Sequence, residues 1–89
     1  MIWVKVSMQV LKDPELSLQT KGLYGVLVAL MGRREYCYPS VEYLMQETAL
    51  SRATVYRMLK SLEDKGYIRR SYDPIQKRYI IRNTAIIES

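Results

Sequence analysis

The 89-residue sequence contains no histidine, no phenylalanine and a single cysteine. Without histidine, a serine or cysteine nucleophile lacks its usual general base, and zinc and haem sites lose a common ligand. The one cysteine, Cys37, has no partner for an internal disulfide, which fits a reducing cytoplasm. We therefore expect neither an enzyme nor a protein with a resident metal or cofactor.

Long apolar runs are also absent. The longest covers residues 23–31, includes a glycine, and is far too short to span a bilayer. The first ten residues, MIWVKVSMQV, have neither the basic start nor the small-residue cleavage site of a secretory signal. We expect a cytoplasmic protein that does not contact membranes.

The sequence does contain an uneven distribution of positive charge. Its net charge is +5, and its hydrophobic fraction of 48% is enough for one globular domain. Residues 51–82 carry nine Lys or Arg against three Asp or Glu, whereas the rest of the chain carries five against six. A charged run is more often only a solvated face, but an excess confined to one segment is typical of a surface that meets phosphates.

Local signals divide the chain into an arm, three helices and a hairpin. Alternating apolar residues at the start predict an extended arm over residues 1–12. Ser17, Ser40 and Ser51 each precede a segment with helical spacing of apolar residues, and a serine hydroxyl can accept from the free amides of a first helical turn. Residues 36–38 are a candidate short strand between the first and second helices.

The third predicted helix, which follows a tight turn at residues 48–50, has two chemically different sides. At 100° per residue, the apolar side consists of Val55, Met58, Leu59 and Leu62. The opposite side carries Arg57 and Lys60, with Tyr56 on the flank. Gly66 is placed to end the helix in the left-handed conformation.

The segment after the third helix predicts a basic hairpin with strands at residues 67–71 and 78–82. We expect Ile68 and Ile81 to face the core and the arginines to face solvent. The turn around Asp73 lacks the Asn-Gly pair that is typical of two-residue hairpins.

Helix, turn, helix and hairpin in this order predict contacts with double-stranded DNA. The start of the third helix is expected at base edges and phosphates, and Arg57 is long enough to contact a guanine edge with two hydrogen bonds. Lys60 and Tyr56 are expected at phosphate or sugar, and the hairpin cations at the adjacent minor groove. The candidate DNA-contacting residues are Ser51, Arg52, Thr54, Tyr56, Arg57, Lys60, Arg69, Arg70, Lys77 and Arg78.

The segment PSVEYLMQETALSRATVYRMLKSLEDKGYIRR resembles the winged helix-turn-helix domains of bacterial and phage proteins, with the helix-turn-helix at residues 40–66 and the wing at residues 67–82. Over about residues 4–82 the chain is most similar to such domains in phage and plasmid replication initiators and in DnaD-like primosome proteins. The resemblance implies an α+β winged-helix fold, and it carries over Ser51, Arg52, Thr54 and Arg57 as DNA contacts and the hairpin as the wing. The wing tip departs from the commoner glycine-containing turn.

We therefore expect a single winged-helix domain over residues 1–89 that binds double-stranded DNA in transcription regulation or in replication initiation. The alternative is a protein–protein interaction module. In that case the apolar arm with Trp3 and the tail with Ile86 and Ile87 are candidates for contacts with a second copy in a homodimer.

Overall fold

The computed structural model describes residues 7–85 and contains four helices and three strands in that range. The helices are α1 (Met8–Leu11), α2 (Leu18–Met31), α3 (Val41–Thr48) and α4 (Arg52–Asp64). The strands are β1 (Tyr36–Cys37), β2 (Ile68–Asp73) and β3 (Arg78–Asn83), in one antiparallel sheet of order β1-β3-β2. Helices α2, α3 and α4 pack on one another, while the sheet contacts α2 through β1 and α4 through β2. The predicted α+β winged-helix architecture is confirmed.

The three serines predicted as helix caps make the capping bonds. The amide-to-hydroxyl distances are 3.1 Å from Thr20 to Ser17, 3.0 Å from Tyr43 to Ser40 and 3.3 Å from Thr54 to Ser51. Each bond satisfies one amide that the first turn of a helix leaves without a partner. The starts of α2, α3 and α4 are therefore determined by local side-chain chemistry.

Helix α4 ends in a Schellman motif centred on Gly66. The amide of Tyr67 donates to the carbonyl of Leu62 at 3.0 Å, and the amide of Gly66 donates to the carbonyl of Glu63 at 2.9 Å. Gly66 has a φ of 78°, a conformation that costs glycine little. This ending turns the chain directly into β2, so that the hairpin begins beside the last turn of α4.

The core lies where the three long helices meet the sheet. The predicted apolar stripe of α4 faces it, with Val55, Leu59 and Leu62 buried and Met58 partly buried against them. Between α3 and α4, Ala49 adopts a left-handed φ of 57°, and the next residue, Leu50, packs partly buried on the core. The predicted turn at residues 48–50 is thus confirmed.

Tyr24 of α2 links the two ends of the described chain. Its side chain is fully buried, and its hydroxyl accepts from the amide of Ser7 at 3.3 Å and donates to the side-chain oxygen of Asn83 at 3.0 Å. Both polar contacts compensate for removing the hydroxyl from water. One side chain therefore joins the start of α1 to the end of β3.

The predicted extended arm is wrong over the part that the structure describes. Residues Met8–Leu11 form one helical turn, closed by a 2.9 Å bond from the amide of Lys12 to the carbonyl of Met8. This turn buries Val10 completely in the core. The free energy gained by that burial favours the helical turn over the extended conformation that the alternating pattern predicts. The predictions for Trp3, Ile86 and Ile87 lie outside the described residues.

The prediction that all hairpin arginines face solvent is wrong for Arg70. The strand register places Arg70 opposite Ile81 and Arg69 opposite Arg82. Because side chains alternate across a sheet, Arg70 shares the inner face with Ile68 and Ile81, which are both buried as predicted. Arg69 and Arg82 are on the outer face.

Within residues 7–85, no helix combines the length and the apolar character needed to cross a membrane.

Candidate nucleic-acid interface

The side of α4 that faces away from the core carries most of the residues predicted to contact DNA. The buried stripe of α4 leaves the opposite side of the helix in water. Among the predicted contacts on this helix and its cap, Ser51, Arg52, Tyr56, Arg57 and Lys60 are exposed and Thr54 is partly buried. The six residues therefore share one element but spread around it: Arg52 and Tyr56 border the groove toward the hairpin, and Thr54 and Arg57 border the cleft toward α2.

Arg52 at the start of α4 is paired with Glu42 in the first turn of α3. Their side chains are 2.7 Å apart and more than half exposed. The hydrogen bond from Arg52 lowers the pKa of Glu42, and the carboxylate raises the pKa of Arg52. Because exposed ion pairs are weak in water, this guanidinium can exchange the carboxylate for a phosphate at little cost.

Arg57 and Lys60 are less constrained. Among the described residues, no carboxylate lies within 4.0 Å of Arg57, and Lys60 makes only a 3.9 Å contact with exposed Asp64. Arg57 borders an open cleft of about 520 Å³ between α4 and the start of α2, which also includes Ser17 and Glu15. Both cations are thus available to an incoming anion.

Arg70 connects the hairpin to α4. Its guanidinium lies 3.1 Å from the carboxylate of Glu63 and its backbone amide donates to the same carboxylate at 3.3 Å. The hydrogen bond from the Arg70 side chain is the main cause of the lowered pKa of Glu63. The pair borders a groove of about 480 Å³ between α4 and the hairpin, to which Tyr56 and Arg78 also contribute.

The wing tip is built on an aspartate instead of a glycine turn. One carboxylate oxygen of Asp73 accepts from the amides of Ile75 at 2.9 Å and Gln76 at 3.2 Å. Lys77 adopts the left-handed φ of 55° that a glycine usually provides. Ile75, at 89% exposure, and Lys77 therefore form the tip of the wing.

Two further predicted residues, Arg69 and Arg78, lie on the outer face of the sheet, away from the core. Arg69 is exposed beside Arg82, and the guanidinium of Arg78 lies 4.3 Å from the ring centroid of Tyr38. The sequence prediction missed Arg82 and the tyrosines on this face. This face could have been predicted from the order Tyr36, Cys37, Tyr38, because two tyrosines that flank a buried residue of a strand must share the opposite face.

Cys37 itself is a buried free thiol, and burial raises its pKa to about 11. The thiol is therefore protonated at neutral pH, which makes it a weak nucleophile. In the range 7–85, no three His, Cys, Asp or Glu side chains are grouped so as to hold a metal ion.

A three-helix core, an antiparallel wing and an exposed basic side on the second helix of the pair together define a winged helix-turn-helix domain. A family model described as "Helix-turn-helix domain" matches residues 15–68, and the chain belongs to this family. The fold is similar to a solved structure titled "N-Terminal domain of DNA binding protein", with a TM-score of 0.74 and 17% identity over 98% of this chain and 77% of that chain. No sequence among curated proteins matches significantly.

Proposed function

We propose that this domain binds double-stranded DNA, with α4 in the major groove and the wing at the adjacent minor groove. The observation that carries the proposal is the exposed side of α4, where Arg57 lies on a rigid helix without a carboxylate partner among the described residues. The major groove of B-DNA admits an α-helix, and an arginine is the commonest side chain that contacts guanine there.

The start of α4 is suited to a phosphate. The hydroxyls of Ser51 and Thr54 are 2.8 Å apart and share one hydrogen bond. Two hydroxyl groups have two hydrogens, so one hydrogen remains for donation to a phosphate oxygen. With Arg52 released from Glu42, the start of the helix then offers a hydroxyl and a guanidinium to the same backbone.

The remaining contacts divide between the two ends of the surface. Tyr56 and Lys60 are assigned to phosphate or sugar, because both are exposed on α4 beyond its first turn. Lys77, together with exposed Ile75, is assigned to the minor groove, where basic side chains bind and apolar side chains can insert between base steps. Arg69 and Arg78 are assigned to the flanking backbone. Arg70 contributes mainly by holding the wing against α4.

The biological role that we propose is sequence-specific binding in transcription regulation or in replication initiation. The helix-turn-helix motif is compatible with both roles, and the sequence resemblance to phage and plasmid replication initiators supports the second. Formation of a homodimer through the arm or the tail stays a prediction, since Trp3, Ile86 and Ile87 lie outside the described range.

The test is selection of bound duplexes from a random pool, followed by binding measurements on the selected site and on a scrambled one. Arg57→Ala should weaken binding to the selected site by about 1–3 kcal/mol and relax the preference at one base pair. Lys60→Ala should weaken binding to both duplexes similarly, as expected for a phosphate contact. Absence of any enriched sequence, with no duplex binding at low salt, would overturn the proposal.

A further inference from the structure

We propose that the outer face of the sheet is a second nucleic-acid site, which binds a single strand. This outer sheet face consists of Arg34, Tyr36, Tyr38, Arg69, Arg78 and Arg82. The site goes beyond the proposed duplex contacts, although Arg69 and Arg78 adjoin both surfaces.

The strand register brings these residues onto one face. Tyr36 on β1 lies opposite Arg82 on β3, which in turn lies opposite Arg69 on β2. Directly paired residues share a face, so this row crosses all three strands. Arg78 is four residues before Arg82 on β3 and therefore points to the same side.

The tyrosine rings hold the guanidinium groups against the face. Arg78 lies 4.3 Å from the ring centroid of Tyr38, and Arg82 lies 5.6 Å from that of Tyr36. Arg34 adds a third such contact, 5.8 Å from Tyr36. Cation–π contacts of this kind keep flexible side chains ordered without using their N–H donors. Arg78 donates one of its N–H groups to the side-chain oxygen of Gln76 at 2.7 Å.

The positive charge of this face is not neutralised by the fold. Among residues 7–85, no carboxylate lies within 4.0 Å of the four arginines. Asp73 is opposite Arg78 in the register, but its carboxylate accepts hydrogen bonds from backbone amides of the wing turn. Like charges directly opposite each other, as at Arg69 and Arg82, destabilise a sheet. An arrangement that costs stability and lacks a counter-charge is suited to an anionic ligand.

The shape of the face favours a single strand over a duplex. Three strands span about 10 Å, and the row of arginines and tyrosines lies flat on them instead of projecting like a helix into a groove. Bases of a single strand stack on guanidinium planes as well as on aromatic rings, and here the rings hold the guanidinium planes in place. The phosphates would meet the same positive charges. Tyr36 and Tyr38 also border an open cleft of about 700 Å³ whose lining includes exposed Tyr43, and this cleft has room for a splayed base.

The test is fluorescence anisotropy with a labelled oligothymidine of about 15 nucleotides and, separately, with a duplex. Arg34→Gln combined with Arg82→Gln should weaken single-strand binding by about tenfold and leave duplex binding unchanged. Arg57→Ala should do the reverse. Lys12→Gln combined with Lys21→Gln removes the same charge from α2 and the segment before it, and should leave most of the single-strand affinity intact.

The rings are tested by a second pair of variants. Tyr36→Leu with Tyr38→Leu should weaken single-strand binding by about tenfold, whereas Tyr36→Phe with Tyr38→Phe should retain it because the rings remain. The arginine variants test the site independently should the leucine variant fail to fold.

Three results would overturn the inference of a single-strand site. The first is the absence of single-strand binding by the wild type at low salt. The second is an arginine variant that binds the single strand as well as the lysine control does, and the third is an arginine variant that loses duplex binding to the same extent. Loss of the duplex activity alone would overturn only the proposed function.

Discussion

The guanidinium of Arg70 lies 3.1 Å from the carboxylate of Glu63, and the backbone amide of Arg70 donates to that same carboxylate. One side chain of α4 therefore holds both the main chain and the side chain of a wing residue. The wing follows α4 after only a short Schellman ending, so this pair restricts the angle between the two elements that are proposed to enter neighbouring grooves.

Glu63→Gln tests this connection. The free energy of unfolding should fall by about 0.5–1 kcal/mol, because the pair is partly exposed and solvent weakens it. Duplex affinity should rise a few-fold, because the change removes a negative charge from the groove and frees Arg70 for phosphate. Urea unfolding and duplex binding measure the two effects.

The matched control is Asp64→Asn, which removes one carboxylate from the next position of α4, where the ion pair among the described residues is a long 3.9 Å contact with Lys60. It should raise duplex affinity to a similar extent without a measurable loss of stability. Lower duplex affinity for Glu63→Gln, or equal stability of the two variants, would contradict this account.

Asp13 makes the stability of the fold depend on pH in the acid range. Its buried carboxylate accepts from the hydroxyl of Tyr67 at 2.7 Å, from the amide of Glu15 at 2.8 Å and from the amine of Lys65 at 3.0 Å. These bonds, with that of Tyr67 the largest contribution, lower the pKa of Asp13 from 3.8 to about 2. Because the pKa of Asp13 is lower in the folded state than in the unfolded state, the ionised carboxylate stabilises the fold at any pH above the unfolded-state pKa. This stabilisation is lost as the pH falls through the folded-state pKa.

The wild type should therefore lose thermal stability between about pH 4 and pH 2 more steeply than Asp13→Asn, which lacks the titrating group. Tyr67→Phe should show an intermediate slope, because it removes the strongest of the three bonds. Melting temperatures across this pH window measure the difference. Parallel curves for the wild type and Asp13→Asn would show that the carboxyl does not have the lowered pKa.

Two glycine-to-alanine changes should have opposite effects. Gly25 lies within α2, and an added Cβ would meet no atom within 4 Å beyond its immediate surroundings. Gly25→Ala should raise the free energy of unfolding by about 0.5–1 kcal/mol through helix propensity alone. Gly66→Ala should lower it by about 1 kcal/mol, because its φ of 78° is strained for a residue with a side chain. Changes of the same sign in urea unfolding would contradict this account of the two sites.

Local chemistry explains why much of the fold was predictable from the sequence. Serine caps, a left-handed glycine and an apolar stripe with helical spacing each act within a few residues, and the structure has the helices at Ser17, Ser40 and Ser51 where these signals placed them. The orientation of Arg70 depends on register. Adjacent Arg69 and Arg70 must occupy opposite faces of a strand, so both could not face solvent.

The two other differences arise from contacts between residues far apart in sequence. Val10 is helical because the helical turn buries its side chain in the core, and the free energy of this burial exceeds the local preference for an extended conformation. The outer sheet face exists only because β1 pairs with β3, which places Tyr36 beside Arg82, 46 positions further along the sequence. Neither contact can be predicted from a short stretch of sequence, because each joins residues that are far apart in the chain.

The most direct test of the central claim is the salt dependence of duplex binding by the wild type and by a variant with both Arg52→Ala and Lys60→Ala, the two cations of α4 that are assigned to phosphates. Each neutralised phosphate contributes about −0.9 to the slope of log affinity against log salt concentration. Binding through α4 and the wing predicts a wild-type slope of about −4 or steeper, and a slope about 2 units shallower for the double variant. A flat wild-type slope, or identical slopes for the two proteins, would contradict a DNA interface on α4.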